Sequence, residues 1–154
     1  MTEARIVPVD SQSIPRVIAL VAKLLFELGA EGDEVGTMDT VILSTYWRAE
    51  GDRQHAFLAI GPDEAAIGTI TVSETFAFYA NGPFGIINEM YVEPAYRSSG
   101  VGRQLLDAVR DLGNLKGWRR IDVTAPESPR WKRTREFYER AGFTFAGPKL
   151  KVLL

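Results

Sequence analysis

Arg97-Ser98-Ser99-Gly100-Val101-Gly102 joins two segments of different period. Before it, Ile86 to Val92 is extended and apolar. After it, Val101, Leu105, Ala108, Val109, Leu112 and Leu115 recur at helical spacing, and Gly117 suits the end of that helix. The hexapeptide is therefore the turn of a strand-turn-helix unit. Its two glycines permit a tight turn whose amide N–H groups converge on one point, and the helix after it adds the partial positive charge of its N-terminus. An oligophosphate fits such a turn, with Arg97 and Arg103 placed to add charge-assisted hydrogen bonds. The six residues alone also fit a plain turn, with glycines for steric reasons and serines as helix caps.

Working outward, the chain has 154 residues, 45% of them hydrophobic, which predicts one domain over 1–154 with a real core. With 18 basic and 20 acidic residues the net charge is -2, so bulk electrostatics do not point to nucleic acid and any anion site must be local. The short basic stretch Arg130-Trp131-Lys132-Arg133 does not change that reading. There is no cysteine, which excludes disulfides, thiolate metal sites and a cysteine nucleophile. A single histidine, His55, argues against multi-histidine metal sites and reads as a polar residue at a strand start, so no metal is expected. The first residues, Met-Thr-Glu-Ala-Arg, lack the blocks of a secretory signal, and no apolar run approaches the roughly 20 residues of a membrane span. A cytoplasmic protein without membrane partners is expected.

From the N-terminus, Ala4 to Val9 reads as a strand. Ile14, Val17, Ile18, Val21, Leu24, Leu25 and Leu28 mark a helix capped by Ser11 or Ser13, with Pro15 tolerated in its first turn and Gly29 closing it. An acidic loop with Glu31, Asp33 and Glu34 leads to a weaker helical stripe at Met38, Val41, Ile42, Thr45 and Ala49. His55 to Ile60 and Ile67 to Tyr79 are extended around the turn Gly61-Pro62-Asp63-Glu64. In the longer of these, Ile70 and Val72 share one face, while Thr69, Thr71, Ser73 and Thr75 share the other. Asn81-Gly82-Pro83 turns into Phe84 to Glu93, where Ile86, Met90 and Val92 alternate with Ile87, Glu89 and Tyr91. Ile121 and Val123 mark a strand, Thr134 to Ala141 a helix stopped by Gly142, and Phe143 to Leu154 two short strands around Gly147-Pro148. The order β-α-α-β-β-β-α-β-α-β-β predicts one α/β (α+β) domain on a mixed, mostly antiparallel central sheet flanked by helices.

Two common phosphate-binding motifs do not fit. Walker A needs Gly-Lys and then Ser or Thr, whereas Gly102 is followed by Arg103 and Gln104. A Rossmann fingerprint needs a third glycine where Leu105 stands. The chain instead resembles the GNAT superfamily of acetyl-CoA-dependent N-acetyltransferases, whose pyrophosphate loop Arg/Gln-x-x-Gly-x-Gly/Ala is matched by Arg97, Gly100 and Gly102. Glu89-Met90-Tyr91-Val92-Glu93-Pro94-Ala95-Tyr96-Arg97 is similar to that family's fourth strand running into the loop. Phe137-Tyr138-Glu139-Arg140-Ala141-Gly142-Phe143 is similar to its late helix and the start of the next strand. The order of elements agrees over nearly the whole chain. One departure is that Trp131 and Thr134 stand near positions where the family often has Asn and Ala.

The resemblance implies an N-acetyltransferase that moves an acetyl group from acetyl-CoA directly to a primary amine of a small molecule or peptide. It implies that the fourth strand splays from the fifth, and that Met90, Tyr91 and Val92 line the pantetheine arm, with a backbone N–H, that of Met90, polarising the thioester carbonyl. Ser98, Ser99, Gly100, Val101 and Gly102, with Arg97 and Arg103, would hold the pyrophosphate. Tyr138 is the candidate general acid for the departing thiolate, against a core aromatic beside Phe137. Glu89 is the candidate base, expected on the strand face of Ile87 and Tyr91, against a rim carboxylate or salt-bridge partner. Glu31, Asp33 and Glu34 could favour a cationic acceptor or be solvated surface. Phe76, Phe78, Tyr79 and Tyr91 could line an acceptor pocket, or serve as core or a dimer contact; a homodimer is compatible with the family. Other readings are a non-catalytic acyl-CoA-binding sensor on the same fold and a protein-interaction module.

Overall fold

The computed structural model describes residues 4–29, 38–125 and 129–154. They form two compact units that meet in sequence between Asp122 and Val123. In the first, strands β1 (Arg5–Pro8), β2 (Gln54–Ile60), β3 (Ala66–Ala77), β4 (Gly82–Val92) and β5 (Ile121–Val123) lie in the sheet order β1-β2-β3-β4-β5. The pairs β1–β2, β2–β3 and β3–β4 are antiparallel. Helices α1 (Ile14–Glu27), α2 (Thr40–Glu50) and α3 (Val101–Lys116) belong to this unit, and α4 (Lys132–Arg140) to the second.

Side chains directly opposite in the ladder share a face, which sorts the sheet into two sides. Val17, Leu20 and Val21 of α1 pack on Leu58, Ile60 and Tyr91, the side that also carries Thr69 and Thr71. On the other side α3 approaches so closely at Gly68 that a Cβ there would lie 3.3 Å from Leu105 and 3.5 Å from Val101. Val101, Leu105, Leu106 and Val109 are fully buried under this helix, each worth roughly 2 kcal/mol against exposure.

Local chemistry explains most element ends. Gly29 and Gly117 close α1 and α3 in the left-handed region, and Asn81 does the same at the turn into β4. The start of α1 is organised differently from expectation. Ser13 stands at the cap position without a capping side-chain bond, and Asp10 Oδ1 instead accepts the N–H groups of Gln12 and Ser13 and the Ser13 hydroxyl. Helix α2 is capped by Asp39, whose carboxylate accepts the Ile42 N–H at 2.9 Å, yet none of its residues is buried. With no buried residue to compensate, Asp39→Ala should cost α2 about 1 kcal/mol, and its amide hydrogens should exchange roughly fivefold faster while the strands are unaffected.

Two strands expected in the tail do not form. Residues 143–154 carry no ladder, and Phe145, Leu150, Val152, Leu153 and Leu154 are exposed. An apolar alternation becomes a strand only if an edge accepts it. Here Gly147 at φ 132 bends the chain and Pro148 offers no N–H. The last helix also begins earlier than its apolar pattern, at Lys132, behind a single turn over Pro129–Trp131.

Candidate active site

Strand β4 does not alternate along its whole length. Ile87 pairs with Val72 and Glu89 with Thr71, so Asn88 is an extra residue, a β-bulge. Val72 and Thr71 point to opposite faces, and Ile87 and Glu89 must as well. The expectation that Glu89 shares a face with Ile87 is therefore corrected: Glu89 shares one with Tyr91 only. Asn88 and Glu89, though adjacent, both reach side chains of the threonine face. Asn88 Nδ2 donates to Ser73 Oγ at 2.6 Å, which donates to Gln54 Oε1 at 2.9 Å. Thr71 Oγ1 accepts the Glu89 N–H at 3.0 Å and donates to the Glu89 carboxylate. This polar row lies beyond the apolar patch that α1 covers. The paired residues Asn88 and Glu89 already broke the hydrophobic alternation in the sequence, which was the available signal for the bulge.

Beyond Val92 the chain makes a single 3-10 turn over Pro94–Tyr96 and enters the glycine turn. Ser98 (φ 64) and Gly100 (φ 93) are left-handed while Arg97 is extended. Alternating backbone signs of this kind turn successive N–H groups towards one side. The Ser99 hydroxyl donates to the Tyr96 carbonyl, which pins the turn. Gly100 is the N-cap of α3 and no side chain caps it. The first intrahelical bond runs from Gln104 N–H to Gly100 O, so the Val101, Gly102 and Arg103 amides lie in the uncompleted first turn. A Cβ on Gly100 would meet nothing within 4 Å, so its glycine serves the left-handed backbone rather than a close neighbour.

Both flanking arginines make ion pairs within the protein. Arg97 donates from Nε to Val92 O at 2.8 Å, pairs with Glu27 of α1 at 2.6 Å and lies over the Tyr91 ring. Lys23, one turn earlier on α1, pairs with Glu93 at 2.6 Å. Together they tie the loop to α1. Arg103 pairs with Asp107 on its own helix at 3.0 Å. The convergent groups of the turn are thus backbone amides.

Met90 lies opposite Ile70 and Val92 opposite Gly68 in the β3–β4 ladder. With three residues, β5 is too short to pair along the eleven of β4. Tyr91 is in the core under α1, and burial pushes its phenol above the ordinary range. The other three aromatics grouped with it, Phe76, Phe78 and Tyr79, are exposed around the β3–β4 turn, so they form no lining with Tyr91. Glu31, Asp33 and Glu34 lie outside the described residues.

In the second unit Tyr138 is 6% exposed and packs edge-on against Phe137 and Phe143. Burial raises its phenol well above the ordinary range, so it stays protonated at neutral pH. Trp131 precedes α4 without a capping side-chain bond, and the Arg130 guanidinium lies over its ring at 5.2 Å. Among the described residues no group of three or more His, Cys, Asp or Glu could hold a metal ion, and no helix is long and apolar enough to cross a membrane.

Residues 43–145 match the family described as acetyltransferase (GNAT) domain. The chain belongs to the GNAT acetyltransferase family. The match includes β4, the glycine turn, α3 and α4, which gives this GNAT protein the class of an acyltransferase. Solved structures agree on the fold. An aminoglycoside acetyltransferase from an uncultured soil metagenomic sample, in complex with sisomicin, aligns with a TM-score of 0.79 at 16% identity, over 98% of this chain and 95% of the other. A predicted acetyltransferase with acetyl-CoA from Clostridium acetobutylicum gives 0.80 at 18% identity, over 97% and 96%. A ribosomal-protein-alanine N-acetyltransferase from Brucella melitensis biovar Abortus 2308 gives 0.77 at 16% identity, over 99% of each. A sequence search of curated proteins finds no match for this GNAT chain.

Proposed function

We propose that this GNAT protein transfers the acetyl group of acetyl-CoA directly to a primary amine of a small molecule or peptide, in the cytoplasm. The observation that carries the reading is the run of β4, on which Glu89 stands on the polar side of the sheet, nine residues before Ser98 in the left-handed turn that opens α3. A pyrophosphate at the turn then lies beyond the end of β4, and an amine at Glu89 lies on the strand itself. The neighbours solved with sisomicin and named for a ribosomal protein support amine acceptors of quite different size.

In this reading the amine nitrogen, having lost a proton to Glu89 directly or through water, attacks the thioester carbon. A C–N bond forms as the C–S bond breaks. The backbone N–H of Met90 polarises the carbonyl oxygen. The coenzyme leaves as a thiolate and takes the proton of the Tyr138 phenol, and the second proton of the amine nitrogen, shed as the amide forms, restores that phenol through water. No covalent enzyme intermediate is needed, consistent with a chain that has no cysteine.

The test is thiol release from acetyl-CoA across a panel of amines, from amino sugars to peptides with free N-termini. Coenzyme A bound without transfer to any amine would leave a sensor, and no binding at all would overturn the reading. Tyr138→Phe keeps the ring between Phe137 and Phe143, so the fold should be little affected. If the phenol protonates the thiolate, kcat falls on the order of tenfold, less than for a poorer leaving group because thiolates depart readily. Full turnover in that variant would reduce Tyr138 to a core aromatic.

A further inference from the structure

Every backbone N–H at a bulge needs a partner that the ladder no longer supplies. At this bulge the Glu89 N–H finds its partner in a β3 side chain, and that side chain does two things at once. Thr71 Oγ1 takes the N–H of Glu89 and returns its own proton to the Glu89 carboxylate. The single hydroxyl proton is thereby committed, and the carboxylate is tied to the backbone of its own residue through one atom of the neighbouring strand. Two residues along, Ser73 accepts from the Asn88 side-chain amide and donates to Gln54. A flexible glutamate on a strand has three side-chain torsions to settle, and this contact removes most of that freedom before a substrate arrives.

From this geometry we infer that Thr71 is a positioning residue for the transfer reaction, aiming the Glu89 carboxylate at the incoming ammonium. The inference rests on Glu89 acting as the base in the reading above. Thr71 does not touch the reacting atoms. Its hydroxyl fixes which Glu89 oxygen is engaged by the protein and which is turned to the amine or its bridging water. A merely structural threonine would act on stability alone; a positioning one acts on kcat through Glu89.

The experiment uses the full chain, acetyl-CoA and whichever amine of the panel gives the fastest thiol release. Absence of release from the wild-type protein counts against the acetyltransferase reading itself and is seen before any Thr71 variant is made. Thr71→Val keeps shape and strand preference while deleting the hydroxyl. It should lower kcat about tenfold with KM for acetyl-CoA within about twofold of wild type. Thr71→Ser should recover most of the loss. In a Glu89→Gln background the valine substitution should cause little further loss, because the residue it positions is gone. Should Thr71→Val fold poorly by thermal melting, Thr71→Ala provides the same comparison with less bulk. Unchanged kcat, failure of serine to rescue, or an equal loss in the Glu89→Gln background would overturn the inference.

Discussion

Glu89→Gln is expected to lower kcat/KM at pH 7 about a hundredfold and to change the shape of its pH profile. An alkylamine with a lysine-like pKa near 10.4 is neutral in only about one molecule in 2,500 at pH 7. A carboxylate that accepts the ammonium proton at the site opens the reaction to the abundant charged form. Glutamine accepts no proton, so the variant must wait for amine already neutral in solution. Its kcat/KM should climb steadily with pH towards the titration of the amine itself, and the acid-side limb belonging to the enzyme should disappear. The loss corresponds to about 2.7 kcal/mol of transition-state stabilisation, within the range for general base catalysis. Because glutamine keeps an oxygen able to accept the Thr71 hydroxyl, the bulge should persist, and unchanged thermal stability would separate chemistry from folding. A variant with wild-type rate and profile would make Glu89 a rim carboxylate.

Gly85→Ala is expected to destabilise the protein by about 3 kcal/mol. Gly85 lies in β4 with its N–H donating to Arg120 O, and a Cβ there would stand 2.4 Å from Cζ3 and 2.7 Å from Cε3 of Trp118. On the other side, a Cβ at Gly113 of α3 would be 3.0 Å from the same ring. The indole therefore sits in a slot between strand and helix that only glycines leave wide enough. It cannot simply withdraw, since its Nε1 donates to Glu74 Oε1 at 2.6 Å. Lys116, 15% exposed, lies 3.5 Å from that carboxylate oxygen and is bonded to Asp52 at 2.7 Å. Moving the ring also breaks its hydrogen bond to the half-buried Glu74 carboxylate, which adds to the steric cost. Equilibrium urea unfolding would measure the change. In the double variant with Trp118→Leu, the effect of Gly85→Ala should be much smaller than in the parent. An equal effect in both backgrounds would show that the ring is not the obstacle.

These expectations draw unequally on what could be read in the chain. The turn at Arg97 to Gly102 was legible because its causes are local. Two glycines and a change of period from extended to helical specify a strand-turn-helix wherever they occur, and the observed left-handed Gly100 and the 16-residue helix after it agree. The Thr69, Thr71, Ser73 face of β3 was legible for the same reason, since alternation is a property of consecutive residues. Tyr138 was identified through resemblance, and its burial against Phe143 could not be read from spacing.

By itself, then, the sequence determined the element order as far as α4, the anion-ready turn, and the exclusion of cysteine and multi-histidine chemistry, all matters of residue type and near-neighbour spacing. Tertiary structure decided the rest. It paired Arg97 with Glu27, because an ion pair is chosen among residues distant in the chain. It slipped the β4 ladder at Asn88, which set Glu89 beside Thr71 and apart from Ile87, because register is settled between strands and not within one. It left the tail without strands despite its apolar residues, because a strand exists only when another strand supplies the N–H and C=O groups that complete it.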